Sequence, residues 1–185
     1  MFELFKTRAE GVSAEVHHFT TGEAAGEFIL RFLMDEGVAD APAAYAVWAP
    51  CPFLSIVDTR QFMATSGVRF DVTRERAAEA KFGISQMEWA LADTGTLVQN
   101  AAAVEQRLVS TLPDIHIALV PTTGLLPDMP ALLSRLTPEQ SNYIAFITGP
   151  SRTADIERVL TIGVHGPKRL IIVFVDELGV RHNGD

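Results

Sequence analysis

Leu170-Ile171-Ile172-Val173-Phe174-Val175 is an unbroken apolar run, and Ile115-His116-Ile117-Ala118-Leu119-Val120 is interrupted only by a histidine. Strands that are buried on both faces read in this way, because neither face alternates with polar residues. Segments with helical spacing lie between the runs, and strands that alternate with helices indicate an α/β domain. We therefore predict an α/β fold with a largely parallel sheet.

The remaining elements follow from periodicity and from turn residues. A tight turn at Thr94-Gly95 predicts a hairpin, which makes the predicted sheet mixed. We find no repeat and no linker-like segment, so we predict one three-layer domain over residues 1–185. The predicted helices span 23–36, 74–81, 104–112, 129–136 and 153–162, and the predicted strands span 45–48, 68–72, 89–93, 96–99, 115–120, 143–147 and 170–175.

Composition narrows the class of protein. The 185 residues include 15 Lys and Arg against 23 Asp and Glu, which gives a formal net charge of −8. A hydrophobic content of 48% is typical of a folded globule. The acidic balance argues against nucleic acid and anionic membranes as partners, since both require clustered basic residues.

The single cysteine and the apolar stretches point to a cytoplasmic protein. Cys51 has no second cysteine with which to form an intramolecular disulfide, and iron–sulfur clusters are usually held by four thiolates. Residues 1–8 mix charges with apolar side chains, unlike a signal peptide. The most apolar stretch, 41–57, contains three prolines and is a poor membrane span.

The segment 147–157 is the first candidate site. We expect a strand to end at Ile147 and a helix to begin near Thr153, after a turn at Gly149. Helix N-termini bind anions, and Arg152 adds a planar group that suits a carboxylate or phosphate. Ligands of open α/β sheets sit beyond the carboxyl ends of strands, where this loop is expected. Alternatively, Ser151 and Thr153 are ordinary helix caps.

The turn 92–96 is the second candidate site. Its acid, Asp93, is a possible base or nucleophile, and Thr94, Gly95 and Thr96 would orient a small polar ligand. The same residue types also form ordinary turns, so a purely structural role stays open.

Two histidines are further candidates. His116 lies inside an apolar run, where its ring needs a hydrogen-bond partner, either as a catalytic group or as a core histidine. His165 lies in the turn 163–167, which simple strand–helix–strand geometry places at the opposite edge from Ser151. The sequence shows no metal-ligand spacing, no Walker loop and no G-x-G-x-x-G, so we predict no metal and no cofactor on this chain.

Three ordered segments carry a resemblance to a known family. They are Ala92-Asp93-Thr94-Gly95-Thr96, then Leu112-Pro113-Asp114-Ile115-His116-Ile117, then 148–157 running into Gly163-Val164-His165-Gly166-Pro167. Together they resemble the lactate-utilisation protein C family, whose module is the LUD domain. The resemblance is best over 83–176, and it implies a fold akin to the superfamily of ribose-5-phosphate isomerase, glucosamine-phosphate deaminase and the CoA transferases.

The resemblance also implies a function. It suggests a subunit of a system that oxidises L-lactate to pyruvate, with iron–sulfur clusters on partner proteins and no redox centre on this chain. Asp93-Thr94-Gly95 is similar to the E-x-G turn that carries the catalytic glutamate of CoA transferases, which is a weak analogy for a nucleophile. The expected site combines Asp93 and His116 with the loop at Ser151, Arg152 and Thr153, which would hold a small carboxylate or phosphate.

Two other functions remain open from the sequence. One is a non-redox protein that binds or transfers a phosphate, a CoA moiety or a nucleotide through the same loops. The other is an assembly scaffold in which the turn 163–167 forms an interface.

Overall fold

The computed structural model describes residues 1–136, 143–154, 160–162 and 166–179, and the elements are given for these residues. The helices are α1 (Phe2–Gly11), α2 (Gly22–Asp35), α3 (Thr59–Ala64), α4 (Arg74–Glu79), α5 (Val104–Thr111) and α6 (Met129–Leu133). The strands are β1 (Glu15–Phe19), β2 (Ala46–Trp48), β3 (Val68–Arg69), β4 (Phe82–Gln86), β5 (Trp89–Leu91), β6 (Thr96–Asn100), β7 (Ile115–Pro121), β8 (Leu125–Leu126), β9 (Ile144–Ile147), β10 (Arg152–Ala154), β11 (Leu160–Ile162) and β12 (Arg169–Val175).

The apolar runs form central strands of a six-stranded sheet with the order β1-β12-β7-β4-β2-β3. All of its pairings are parallel. The register places Ile171 beside Ile117 on one side and beside Glu15 on the other. The predicted α/β class is therefore confirmed.

Alternation along the central strands separates two cores. Ile117 and Val173 face α2 and α3, in a cluster that also contains Ile29 and Phe62. The intervening residues of β7 and β12 face α1 and the strands that follow β4, in a second cluster. Because both faces are covered, these strands are apolar at almost every position, and the exception inside β7 is His116.

The hairpin predicted at Thr94-Gly95 forms, but it lies outside the parallel sheet. β5 and β6 pair in a separate four-stranded sheet with the order β8-β5-β6-β9, which packs on the α1 face. The prediction that the hairpin makes the main sheet mixed is therefore wrong. β9, predicted as a strand over 143–147, pairs antiparallel with β6 rather than joining the main sheet.

The helix predicted over 153–162 is also wrong where the chain is described. Residues 152–154 and 160–162 are the antiparallel strands β10 and β11, with Arg152 opposite Ile162. Local helical periodicity has been overridden by cross-strand pairing, which supplies the backbone hydrogen bonds instead. No described helix therefore begins at Ser151 or Thr153.

Two elements at the start of the chain were not predicted. α1 buries only Phe5 and Ala9, so its apolar face is narrow and its sequence mixes charged with apolar residues. β1 contains His17 and His18, which weaken its apolar pattern. Among the described residues, no helix combines the length and the apolar character needed to cross a bilayer.

Candidate functional site

The structure brings the two predicted loops together. Thr96 is the last residue of the turn 92–96, and Thr148 directly follows β9. Their hydroxyl oxygens lie 2.8 Å apart. The antiparallel pairing of β6 with β9, which sets Leu97 opposite Ile147, places these hydroxyls side by side. The sequence predicted both loops as candidates, and their contact follows from a sheet that it did not predict.

Both loops also pack against the C-terminal end of α1. Gly95 has φ +69°, and a Cβ at this position would lie 2.5 Å from the backbone nitrogen of Ala9. Gly149 has φ +71°, and its Cβ would lie 2.6 Å from the carbonyl oxygen of Val12. Any larger residue would push the loops away from the helix. We call this region, formed by residues 9–14, 92–96 and 148–152, the α1 corner.

The helix end in the α1 corner has a defined cap. The N–H of Ser13 donates to the carbonyl of Glu10 at 2.9 Å, and the N–H of Ala14 donates to the carbonyl of Ala9 at 3.0 Å. This pair of bonds is a Schellman motif, with Ser13 at φ 71° as the left-handed residue. Two terminal carbonyls are thereby satisfied, which reduces the exposed negative end of the helix dipole.

Arg152 donates from Nη2 to the hydroxyl oxygen of Ser13 at 2.8 Å, and both side chains are exposed. Two nearby cations are paired differently. Arg169 bonds to the carboxylates of Glu15 and Glu36, and it holds the pKa of Glu36 below its usual range. Lys168 pairs with an aspartate carboxylate at 2.9 Å. The partner described for Arg152 is a neutral hydroxyl, which leaves its charge uncompensated by that contact.

The α1 corner lies at the amino edge of the parallel sheet. The N–H of Ser151 donates to the carbonyl of Pro167 at 2.9 Å, two residues before β12 begins. A Cβ on Gly166 would lie 3.0 Å from the Cβ of Ser151. For Gly166 and Pro167, the described part of the turn 163–167, the prediction of the edge opposite Ser151 is therefore wrong. The prediction that this loop sits beyond the carboxyl ends of the strands is wrong, because β9 belongs to the other sheet.

The remaining predicted residues occupy distinct positions. Asp93 and Thr94 are exposed on the turn, and the N–H of Asp93 donates to the carbonyl of Pro127. Thr153 is in β10, and nothing is described of its side chain. His165 lies outside the described residues, as does the rest of 163–165.

His116 is enclosed in the interior. Its ring is 0% exposed, and its Nε2 lies 2.9 Å from the hydroxyl of Ser85, which is also 0% exposed. Burial lowers the pKa of His116 to about 4, so the ring is neutral at pH 7. Its Nδ1 has no hydrogen-bond partner among the described residues. This arrangement is that of a core histidine, and its role as a catalytic base stays a prediction.

A cavity of about 300 Å³ lies at the opposite, carboxyl edge of the parallel sheet. The carbonyl oxygen of the Gln86 side chain, at the end of β4, accepts the N–H of Phe53 at 3.0 Å and so fixes the segment that follows β2. Sequence reasoning missed this cavity, and it also missed β4, the strand that ends at Gln86. The cavity is lined by Pro52, Ser55, Ile56, Gln86, Pro121, Glu177, Leu178 and Gly179.

A neighbouring cavity of about 310 Å³ is lined in part by Glu23, Glu27 and Asp58. Neither cavity has a lysine or arginine among its described lining residues. Within the described parts of the chain, no group of three or more His, Cys, Asp or Glu side chains is arranged to hold a metal ion.

Comparison with known proteins identifies the family. The sequence model of the LUD domain matches residues 2–175. The chain belongs to the LUD domain family. The match covers α1 and β12 together with everything between them, and so includes the first 80 residues, where the resemblance was weakest.

Curated relatives of this LUD domain protein include three named "Lactate utilization protein C". The one from Exiguobacterium sp. is 40% identical over 114 residues, which cover 58% of this chain and 50% of the relative. The one from Halalkalibacterium halodurans is 37% identical over 109 residues, 56% of this chain and 47% of the relative. The one from Bacillus subtilis is 35% identical over 109 residues, which cover 56% of this chain and 45% of the relative. The chain spans about half the length of the curated relatives that it matches.

The fold of this LUD domain is also similar to a solved structure. The crystal structure of a DUF162 family protein from Deinococcus radiodurans at 1.70 Å resolution matches with a TM-score of 0.61. The match covers 94% of this chain and 95% of the other, at 20% sequence identity. This likeness supports the α/β fold.

Proposed function

We propose that this LUD domain protein is a subunit of a multi-protein system that oxidises L-lactate to pyruvate. The relatives named for lactate utilisation support this assignment. The electrons released by lactate pass to iron–sulfur clusters on partner proteins, since one cysteine on this chain is too few for a usual cluster. The contribution of this chain is to bind and orient the acid.

The α1 corner is the site we assign to the acid. The observation that carries this step is the partner of Arg152, which is a hydroxyl, whereas nearby Arg169 and Lys168 bond to carboxylates. Among the described residues no carboxylate pairs with this guanidinium, and such a group is suited to bind a ligand carboxylate through two parallel hydrogen bonds. The hydroxyls of Thr96 and Thr148 add polar groups to the same corner.

The roles of the two predicted proton acceptors differ. Asp93 is exposed on the turn that packs against α1, so a ligand in the α1 corner has access to its carboxylate. His116 is enclosed and neutral, so we assign it a structural role in the core. We therefore assign proton acceptance to Asp93.

Deletion of the gene in its host tests the function. Growth on L-lactate should be lost while growth on pyruvate is kept, because the lesion lies before pyruvate. The wild-type gene should restore growth, Arg152→Ala should not, and Arg60→Ala is the matched control because Arg60 is an exposed arginine bonded to Asp58. Normal growth of the deletion strain on lactate would refute the proposal.

Two assays on the purified protein complete the test. The isolated chain should show no lactate-dependent reduction of a redox dye. A titration of the isolated chain with sodium L-lactate should give saturable binding that Arg152→Ala weakens by about a hundredfold, the effect of losing a charged hydrogen-bonding partner. Robust dye reduction by the isolated chain would overturn its assignment as a subunit without a redox centre.

The carboxyl-edge cavity favours a second candidate function. Ligands of parallel α/β sheets commonly bind at this edge, and about 300 Å³ is the lower end of the range for small-molecule sites. The protein would then be a non-redox binding or group-transfer protein. Thermal-shift screening against phosphate, CoA, nucleotides and lactate separates the two functions. Stabilisation by CoA or a nucleotide, with none by lactate, would favour the second.

A further inference from the structure

Ser13 occupies a backbone position that normally belongs to glycine. It is the residue directly after the C-cap of α1, and its φ of 71° is in the left-handed region. Glycine is the usual residue there, because a Cβ crowds the backbone in this conformation. The other tight turns of the α1 corner follow the rule, since the positive φ angles there fall on Gly95 and Gly149. Ser13 departs from it.

The side chain of Ser13 has a specific long-range contact. Its hydroxyl oxygen accepts a hydrogen bond from Nη2 of Arg152, a residue 139 positions away in sequence. Replacement by glycine would relieve the backbone and remove this bond. A non-glycine residue in a strained conformation is a reason to look for a function of its side chain.

We propose that Ser13 is a positioning residue that holds the guanidinium of Arg152 at the mouth of the α1 corner, ready for a small acid. This inference rests on the proposed function, which assigns the acid to Arg152. The hydroxyl oxygen of Ser13 accepts one N–H from the guanidinium, which fixes the guanidinium and leaves its other N–H groups for the acid. The carboxylate of the ligand accepts hydrogen bonds from those remaining N–H groups of Arg152.

Two substitutions separate binding from stability. Ser13→Gly removes both the hydroxyl and the Cβ, whereas Ser13→Ala removes the hydroxyl but keeps the Cβ. Both should weaken the binding of sodium L-lactate by about tenfold, the effect of losing one charge-assisted hydrogen bond. Ser13→Gly should melt about 2–4 °C above Ser13→Ala, because glycine relieves the left-handed backbone. A merely structural serine would instead show binding that follows the melting temperature.

The double variant tests whether Ser13 acts through Arg152. In the Arg152→Ala background, Ser13→Gly should cause no additional loss of lactate binding, because the group that it positions is gone. Additive losses would overturn the inference. Wild-type binding by Ser13→Gly, with binding lost in Arg152→Ala, would overturn it while leaving the proposed site intact. Undiminished binding by Arg152→Ala would instead refute the small-acid site itself.

A measurement without any ligand distinguishes a failure of the positioning role of Ser13 from a failure of the acid-binding site. The ¹⁵N–¹H signal of the Arg152 side chain should be sharp in the wild-type protein and should broaden or shift to the position of a free arginine in both Ser13 variants. Arg60 is the internal control, because its partner Asp58 is untouched by the substitution. A signal from Arg152 that stays unchanged in both variants would show that Ser13 does not position the guanidinium.

Discussion

Replacing His116 with glutamine would reveal how much of the acid sensitivity of this protein comes from one buried ring. The ring of His116 is 0% exposed, and burial lowers its pKa from 6.5 to about 4. Nε2 bonds to Ser85, so the neutral form is satisfied at this nitrogen, whereas a charged ring would have to be desolvated. Glutamine keeps a polar group near the same place but does not titrate.

The sign and the size follow from proton linkage. Below pH 6.5 the unfolded chain takes up a proton at His116, while the folded protein does so only near pH 4. The contribution of His116 is therefore fully present above pH 6.5 and is lost as the pH falls towards 4. The difference in pKa corresponds to about 3 kcal/mol of the free energy of unfolding.

Glu88 changes the stability with pH in the direction opposite to His116. The free energies of unfolding of wild type and variant must therefore be compared at each pH. Burial raises the pKa of Glu88 from 4.5 to about 6, against the effect of the N–H of Asn100, which bonds to its carboxylate. Its contribution is greatest below pH 4.5 and is lost as the pH rises through 6. Subtracting the free energy of unfolding of the variant from that of the wild type cancels this contribution.

Urea denaturation at intervals from pH 7.5 to 4.5 is the assay. The stability of the wild type should fall relative to His116→Gln by about 2–3 kcal/mol over this range, most of the full effect. Ser85→Ala is the matched control: it keeps the ring, so it should lose stability by about 1–3 kcal/mol at pH 7.5 and keep the acid slope. A constant difference between wild type and His116→Gln across the range would refute a buried, neutral histidine.

Three further substitutions test the packing and the electrostatics. Gly83→Ala would place a Cβ 1.9 Å from the carbonyl oxygen of Val109. The free energy of unfolding, measured by urea denaturation, should therefore fall by about 3 kcal/mol or more. A loss below about 1 kcal/mol would contradict this packing. Glu88→Gln should raise stability by about 2 kcal/mol at pH 7.5 but by less than about 1 kcal/mol at pH 4.5, because the amide has no charge to desolvate. Equal effects at both pH values would count against the raised pKa of Glu88. Thr96→Val removes the hydrogen bond to Thr148 and should lower the free energy of unfolding by about 1 kcal/mol. Amide hydrogen exchange in the 148–152 loop should become faster. Unchanged exchange would show that the bond does not hold the two loops together.

The parts of the fold that could be predicted are those with strong local signals. The nearly continuous apolar runs of β7 and β12 indicated strands covered on both faces, and helical spacing indicated α2. α1 was missed because it buries only two residues against the sheet. The helix predicted over 153–162 failed because cross-strand pairing of 152–154 with 160–162 is a non-local contact that periodicity does not record.

The candidate site was predictable by residue type and not by place. The turn 92–96 and the loop 148–152 stood out through their glycines, hydroxyls and Arg152. Their meeting depends on β6 pairing with β9 and on the close approach of both loops to α1, which no local pattern encodes. One sequence signal pointed to Ser13. The glycine at Gly11 follows a charged segment, which is typical of the end of a helix, and Ser13 lies two residues later, where a C-terminal cap is expected.

Because β1 pairs with β12, part of the parallel sheet can form only late in the synthesis of the chain. β1 is an edge strand of the parallel sheet, and its strand neighbour is β12, which begins about 150 residues later. A nascent chain emerges from the ribosome N-terminus first, so β1 and the helix before it leave the exit tunnel long before their partner has been translated. The α1 corner, which is anchored on that helix, is therefore completed only after β12 has been translated.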